Sequence, residues 1–132
     1  MTMTAKNTAL RLLSIKSRSV QELRKKLTLR GFSEPEIEAA LEACRSYGYL
    51  DDEEEAKRRN ERLKRKGYGP HLIAAKLRSQ GLKGEQMSFS DQMEVIRTLL
   101  TKPAWKKKEK RKLIAALQRR GFDLECILAS EF

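Results

Sequence analysis

Apolar residues recur along the chain at the three- and four-residue spacings of amphipathic helices. One stripe places apolar side chains at positions i, i+3, i+4 and i+7: Ile37, Ala40, Leu41 and Cys44. No stretch alternates β-branched and polar residues as a strand does, and only three prolines and seven glycines interrupt the chain. The pattern predicts an all-α fold of about nine helices.

A short signature at helix ends occurs three times. In each copy two apolar residues stand four apart, a glycine follows four residues after the second, and another apolar residue comes next. The copies end at Arg30-Gly31-Phe32, Gln80-Gly81-Leu82 and Arg120-Gly121-Phe122. A glycine in the left-handed conformation at this place closes a helix in a Schellman motif, which brings the second apolar residue against the one after the glycine. We therefore predict three contacts: Leu27 with Phe32, Leu77 with Leu82, and Leu117 with Phe122.

Capping residues mark the helix starts. Ser19 is followed three residues later by Glu22, and Ser33 is followed by Glu36, which is the pattern of a capping box. Asp51 opens a further helix whose first turn is rich in carboxylates, and carboxylates are favoured at that end of a helix. These starts and the repeated ends together divide the chain into helices of ordinary length.

The signature glycines stand 50 and then 40 residues apart, which is typical of tandem helical units. We predict three three-helix repeats that form an elongated, curved array, with boundaries at 1–50, 51–89 and 90–132. The sixth helix is expected to be short, within residues 84–87. The eighth helix is expected to begin at Pro103 and to carry the basic segment that follows.

The charge balance narrows the function. A formal charge of +11 and a pI near 9.9 make a polyanion the expected partner, with nucleic acid first and an acidic protein surface second. No apolar run approaches the roughly 18 residues of a spanning helix, and the N-terminus lacks the layout of a signal peptide. We therefore expect no membrane partner. The two cysteines show no spacing of a disulfide framework, which favours a cytoplasmic location, and we expect a monomer.

Few residues suit catalysis or metal binding. Cys44 lies on an apolar stripe and is expected to be an inert core thiol, while Cys126 shows no sign of activation. His71 has no acidic or thiol neighbour at ligand spacing and is expected at the surface. Tyr68 lies between two glycines, but Pro70 removes a backbone donor that a phosphate loop needs, so this segment is interpreted as a helix end and restart. We expect no enzymatic activity, no metal and no cofactor.

The candidate nucleic-acid-binding residues are cations on three helical segments and one tryptophan. An ordinary solvated helix face remains the alternative for each cationic group, and partial burial in the core remains the alternative to base stacking for Trp105. The candidates are Arg24, Lys25, Lys26 and Arg30; Arg58, Arg62, Arg65 and Lys66; and Trp105, Lys106, Lys107, Lys108, Lys110, Arg111, Arg119 and Arg120.

Two further segments carry a resemblance to a known family: Gly48-Tyr49-Leu50-Asp51-Asp52 and Lys66-Gly67-Tyr68-Gly69-Pro70. Together with the three repeated helix ends they resemble the RecX family of bacterial recombination regulators, from about residue 9 to residue 128. The resemblance implies three tandem three-helix repeats. It also implies binding to the RecA recombinase and its nucleoprotein filament, usually with suppression of ATPase and strand exchange, and a place in DNA repair, recombination and the SOS response.

The sequence leaves three functions open. The first is a RecX-like modulator of RecA that also contacts single- or double-stranded DNA. The second is a general basic helical protein that binds nucleic acid, which the charge alone favours. The third is a helical adaptor whose basic surface meets acidic protein.

Overall fold

The computed structural model describes residues 3–130, and the regular structure in this part of the chain is entirely helical. The all-α prediction is confirmed. Among the described residues, no helix is both long and apolar enough to cross a bilayer. The helices are α1 Ala5–Ile15, α2 Val20–Leu29, α3 Glu34–Ser46, α4 Asp52–Arg65, α5 Pro70–Ser79, α6 Phe89–Leu100, α7 Pro103–Lys106, α8 Lys110–Arg119 and α9 Leu124–Ala129.

The chain forms two compact units, each with its own apolar core. The first unit holds the residues up to Ala56 and also Gln80–Leu82, and the second holds Lys57–Ser79 and the residues from Lys83 onward. The three-repeat boundaries stay a prediction, and residues 1–2 and 131–132 of the outer repeats lie outside the described residues. The first core includes Leu23, Leu27, Ile37, Leu41 and Cys44. The second includes Ile96, Leu99, Trp105, Leu113, Leu117 and Ile127.

The helix starts predicted at Ser19, Ser33 and Asp51 are confirmed. The Ser19 hydroxyl accepts a hydrogen bond from the backbone N–H of Glu22, and the Glu22 carboxylate accepts one from the backbone N–H of Ser19, at 3.1 and 2.9 Å. Ser33 and Glu36 form the same reciprocal pair at the start of α3. Asp51 accepts a hydrogen bond from the backbone N–H of Glu54 at 3.3 Å. These bonds satisfy helix donors that have no partner within the helix.

The three signature glycines have left-handed backbones, with φ of 86° at Gly31, 76° at Gly81 and 91° at Gly121. At the first and third copies the residue after the glycine donates its backbone N–H to the leucine carbonyl five residues earlier, as the Schellman motif requires. These bonds join Phe32 to Leu27 and Phe122 to Leu117, each at 3.3 Å. Each of these two pairs also lies in or against one core. The contact of Leu77 with Leu82 stays a prediction.

The start of α5 lies against the end of α8. The backbone N–H of Gly69 donates to the carbonyl of Arg120 at 2.7 Å, and that of His71 donates to the carbonyl of Gly121 at 3.0 Å. Donors at a helix start are thus paired with carbonyls at a helix end, which satisfies both sets of backbone groups. Gly67, with φ of 90°, ends α4 and Pro70 begins α5, so the helix end and restart predicted for this segment is confirmed.

The predicted sixth helix does not form. Residues 82–88 have no regular structure, and α6 begins only at Phe89. A side chain at Gly84 would place its Cβ 2.9 Å from the Cα of Ala74, so the segment follows α5 at close range. A single turn has too few hydrogen bonds to offset the ordering of its backbone, and packing against α5 takes precedence.

The predicted eighth helix is two helices. α7 ends at Lys106, and α8 begins at Lys110 after Glu109, whose backbone is extended (ψ 151°). A continuous helix would align three like-charged pairs at the i, i+4 spacing, and each such pair would cost about 0.2–0.5 kcal/mol. The interruption removes those pairs, which are Lys106 with Lys110, Lys107 with Arg111, and Lys108 with Lys112.

The buried face of α4 is largely polar. Glu55, Arg59 and Asn60 are all buried. Glu55 accepts a hydrogen bond from the Ser17 hydroxyl at 2.9 Å, and Asn60 donates to the Glu85 carboxylate at 3.4 Å. In residues 3–130, every buried side-chain nitrogen and oxygen has a hydrogen-bond partner, so this face is held by polar pairing more than by apolar contact.

Candidate nucleic-acid interface

The candidate cations of α2 and of its C-terminal cap divide into one structural residue and three solvent-facing ones. The guanidinium of Arg24 pairs with the carboxylates of Glu34 and Glu38 on α3, at 3.2 and 2.5 Å. Arg24 therefore joins two helices of the first unit, and its charge is largely neutralised there. The other three are exposed and pair with no carboxylate of the described chain: Lys25, Lys26 and Arg30.

Three candidate cations of α4 share one side of the helix. Arg58, Arg62 and Arg65 stand at the i, i+4 and i+7 positions and are all exposed, which places them on one stripe away from the buried polar face. Lys66 follows directly and is exposed as well. At Arg62, Arg65 and Lys66, the exposed side chains can meet successive anionic groups.

The basic run after Trp105 occupies three different local structures. Lys106 is the last residue of α7, Lys107 and Lys108 lie between the helices, and Lys110 and Arg111 open α8. All five are exposed, as is Arg119 at the end of α8. The sequence predicts that one continuous helix carries these cations. In the structure they instead follow a bend between α7 and α8.

Trp105 belongs to the core of the second unit. Only 8% of its surface is exposed. Stacking a base on the indole would require an open ring face, so its burial favours the core interpretation that the sequence left open.

Arg120 connects the second and third groups of cations. Its guanidinium lies 4.8 Å from the ring centroid of Tyr68 and 5.4 Å from that of Trp105. Its Nη1 donates to the carbonyl of Lys66 at 3.1 Å. Two aromatic contacts and one hydrogen bond fix the orientation of a planar cation. The structure thus brings the end of α4 to the end of α8 within the second unit.

Sequence reasoning missed Tyr68 and Lys76 as members of this cluster. The ammonium of Lys76 lies 5.4 Å from the Tyr68 ring centroid. The sequence does mark Tyr68 in one way: a tyrosine follows a helix-ending glycine both here and at Gly48-Tyr49. No local signal marks Lys76, since its contact depends on where α5 begins.

A polar link joins three elements of the second unit near the start of α9. The imidazole Nε2 of His71 contacts Asp123 Oδ1, and the amide of Gln92 donates to Asp123 Oδ2 at 2.8 Å. Hydrogen bonds from Gln92 and then from His71 lower the pKa of Asp123 below its ordinary value. His71 is exposed, as predicted, but its acidic partner stands 52 residues later and cannot be found from local spacing.

The link makes the stability of the second unit pH-dependent. Because the pKa of Asp123 is lower in the folded protein than in the unfolded chain, its contribution is complete above about pH 4 and is lost as pH falls through the folded value. We expect Asp123→Asn to unfold at a lower temperature than the parent at pH 6, and the difference between the two melting temperatures to shrink as pH falls below about 4. Circular dichroism melts from pH 6 to pH 3 measure this, and a constant difference would contradict it.

Both thiols are buried, Cys44 in the first core and Cys126 in the second. Burial raises the pKa of each thiol, which disfavours the reactive thiolate. The core position predicted for Cys44 is confirmed. Among the described residues, no group of three or more His, Cys, Asp or Glu side chains is arranged to hold a metal ion.

The chain is similar to proteins of one family. Residues 5–44 match the family model described as RecX, first three-helix domain. A Regulatory protein RecX of Vibrio vulnificus (strain CMCP6) is 33% identical over 95% of this chain and 89% of its own length. A second, from Caldanaerobacter subterraneus subsp. tengcongensis, is 34% identical over 93% of this chain and 66% of its own length.

Solved structures share the fold. The crystal structure of RecX from Lactobacillus salivarius superposes with a TM-score of 0.81 over 93% of this chain and 89% of that chain, at 21% identity. A similarity at this identity concerns the fold alone. The sequence similarity to the Vibrio relative covers 89% of that relative's length. On that basis the chain belongs to the RecX family of regulatory proteins.

Proposed function

We propose that the protein binds the RecA recombinase and its DNA filament in the cytoplasm and inhibits the recombinase's ATPase and DNA-repair activity. The observation that carries the proposal is membership of the RecX family along nearly the full length of a relative named as a regulatory protein. The name of that relative implies a regulatory target rather than a substrate. Acting by binding is the simplest mechanism for such a chain.

The exposed cations support the nucleoprotein part of the proposal. Cations that pair with no described carboxylate are present in both units, for example Lys26 in the first and Arg62 in the second. A nucleoprotein filament presents phosphates along its length, and cations meeting them release bound counterions. A protein of +11 charge is also drawn to such a polyanion over a distance of about one Debye length, roughly 10 Å at 0.1 M salt.

The ATPase of the cognate recombinase on single-stranded DNA tests the proposal. We expect hydrolysis to fall when the protein is added at substoichiometric to stoichiometric amounts.

Reversing Lys107, Lys108 and Arg111 to Glu is expected to weaken filament binding about tenfold or more at 0.1 M salt, because phosphate contacts are lost. Circular dichroism should show unchanged helicity.

A matched control carries the same charge change elsewhere in the second unit, at Arg78, Lys83 and Arg97, which are exposed. The control variant is expected to inhibit almost as well as the parent. An ATPase rate that stays constant with the unmodified protein would refute inhibition. An equal loss of filament binding in the two variants would exclude Lys107, Lys108 and Arg111 as principal contacts.

General nucleic-acid binding is the second candidate, because the +11 charge favours it without any recombinase. It predicts tight binding to naked DNA with no effect on the ATPase. Binding through phosphates should weaken with salt by a log–log slope of about −0.7 per contact on single strands. A flat salt response together with an unaffected ATPase would favour an adaptor that binds acidic protein.

A further inference from the structure

An open cavity of about 430 Å³ lies in the second unit, beside the segment that connects α4 to α5. Its walls come from that segment, from α5, from α7 and the residues after it, and from α8. Three of its side chains are cationic, two are aromatic and none is acidic. The lining residues are Tyr68, Leu72, Trp105, Lys108, Ala116, Arg119 and Arg120.

Arg120 is the fixed cation of this cavity. The rings of Tyr68 and Trp105 and the carbonyl of Lys66 hold its guanidinium. A guanidinium has five N–H donors, and the Lys66 carbonyl accepts from Nη1 alone. The remaining donors form no other hydrogen bond within the described chain. Such an oriented donor group suits an oxyanion, because little side-chain entropy remains to be lost on binding.

Lys108 and Arg119 supply two exposed cations beside the fixed one. Both are exposed, and neither pairs with a carboxylate of the described residues. The nearest acidic residues in sequence are Glu109, which caps α8 by its backbone without a side-chain hydrogen bond, and Asp123, which is engaged by Gln92 and His71. The positive charge in the cavity is therefore not neutralised by an ion pair with any of the residues 3–130 that the structure describes.

We propose that this cavity binds a backbone phosphate of single-stranded nucleic acid, with Lys108, Arg119 and Arg120 as the contacting cations. The inference rests on the proposed function, since it names the place where this regulator meets the DNA of the filament. Further exposed cations precede and follow Lys108 in sequence, at 106–107 and 110–111. Several phosphates of one polymer can therefore be met together, which favours a polynucleotide over a single free phosphate ion.

Binding of an oligothymidylate to the protein alone tests the site, without recombinase. Lys108→Glu/Arg119→Glu is compared with Lys83→Glu/Arg97→Glu, which makes the same charge change at exposed positions outside the cavity. Loss of two contacts should reduce the magnitude of the log–log salt slope by about 1.4, whereas the control should keep the slope of the parent. If the affinities of the two variants are equal at 1 M salt, this difference in slope makes the cavity variant bind about 25-fold more weakly than the control at 0.1 M salt.

Two further measurements keep the proposal open to refutation. Arg119→Lys retains the charge and the exposed position, so it should recover most of the parent affinity, whereas Arg119→Gln should not. Inorganic phosphate and poly-glutamate serve as alternative ligands at the same ionic strength. Equal slopes in the cavity and control variants would overturn the site, as would cavity variants that lose poly-glutamate or inorganic phosphate but retain oligothymidylate.

The two proposals fail separately. The oligothymidylate measurement contains no recombinase, so an unchanged slope leaves the ATPase result as it stands. An unaffected ATPase together with the expected slope would refute inhibition of the recombinase and retain the cavity as a nucleic-acid site.

Discussion

Replacing Gly121 with alanine is expected to lower the free energy of unfolding by about 3 kcal/mol. The left-handed backbone, with φ of 91°, costs a residue with a side chain about 1–2 kcal/mol. A Cβ at this position would also overlap the backbone nitrogen of Leu72 and lie 3.0 Å from its Cα. Relieving that overlap requires the start of α5 to move away from α8, and overpacking of this kind costs about 1–3 kcal/mol.

Gly31→Ala is the matched control. Its backbone is left-handed as well, with φ of 86°, but no atom outside its chain neighbours lies within 4 Å of the added Cβ. We expect this variant to lose about 1 kcal/mol, from the backbone conformation alone. Urea unfolding followed by circular dichroism gives both values. Similar losses in the two variants would show that the approach of Leu72 to Gly121 contributes little.

Replacing Gln92 with alanine is expected to lower the free energy of unfolding by about 3 kcal/mol. The side chain is 2% exposed, and its amide donates to Asp123 Oδ2 at 2.8 Å and to the Met87 carbonyl at 3.3 Å. Its Oε1 accepts the backbone N–H of Asp123 at 3.0 Å. Truncation removes the hydrogen bonds that Gln92 makes to these half-buried groups, and a polar group left unsatisfied by such a change costs about 1–3 kcal/mol when it is buried.

Gln118→Ala controls for the chemistry of the substitution. Gln118 is exposed on α8, and a surface substitution of this kind normally changes stability by less than about 0.5 kcal/mol. The two variants are compared by urea unfolding at pH 7. A loss below about 1 kcal/mol for Gln92→Ala would mean that water replaces the lost hydrogen bonds without penalty.

Features that depend on a few neighbouring residues can be predicted from this sequence. The capping box of Ser19 and the left-handed glycine of each signature follow from hydrogen bonds that close within six residues. The stripe from Ile37 to Cys44 follows from helical periodicity, and the structure buries all of it. The all-α class needs nothing more than these local patterns.

Features that depend on distant partners cannot be predicted in this way. Residues 84–87 offer one turn of helical sequence, but the closeness of Gly84 to Ala74 decides their conformation. The signature predicts why Gly121 has a positive φ, yet it does not show that Leu72 leaves no space for a side chain there. Gly81 has a similar second constraint, since its Cβ would lie 2.6 Å from that of Gln21.

The same distinction between local features and distant contacts applies to the candidate interface. Composition and charge runs identify which residues are cations, and most of those named are exposed. They do not separate cations that face solvent from those held by the protein. Arg24 is neutralised by Glu38 on the following helix, and Arg120 is oriented by Tyr68, 52 residues earlier. Those roles arise from contacts between helices, which local patterns do not encode.

The two buried cysteines give the molecule a built-in pair of reporters for local opening. Cys44 lies in the core of the first unit and Cys126 in the core of the second, and burial raises the pKa of both thiols. A thiol reagent can reach each sulfur only when its own unit opens. The modification rates of the two cysteines, followed separately by mass spectrometry, therefore report how often each half of the chain unfolds under native conditions, and whether a bound partner steadies one half or both.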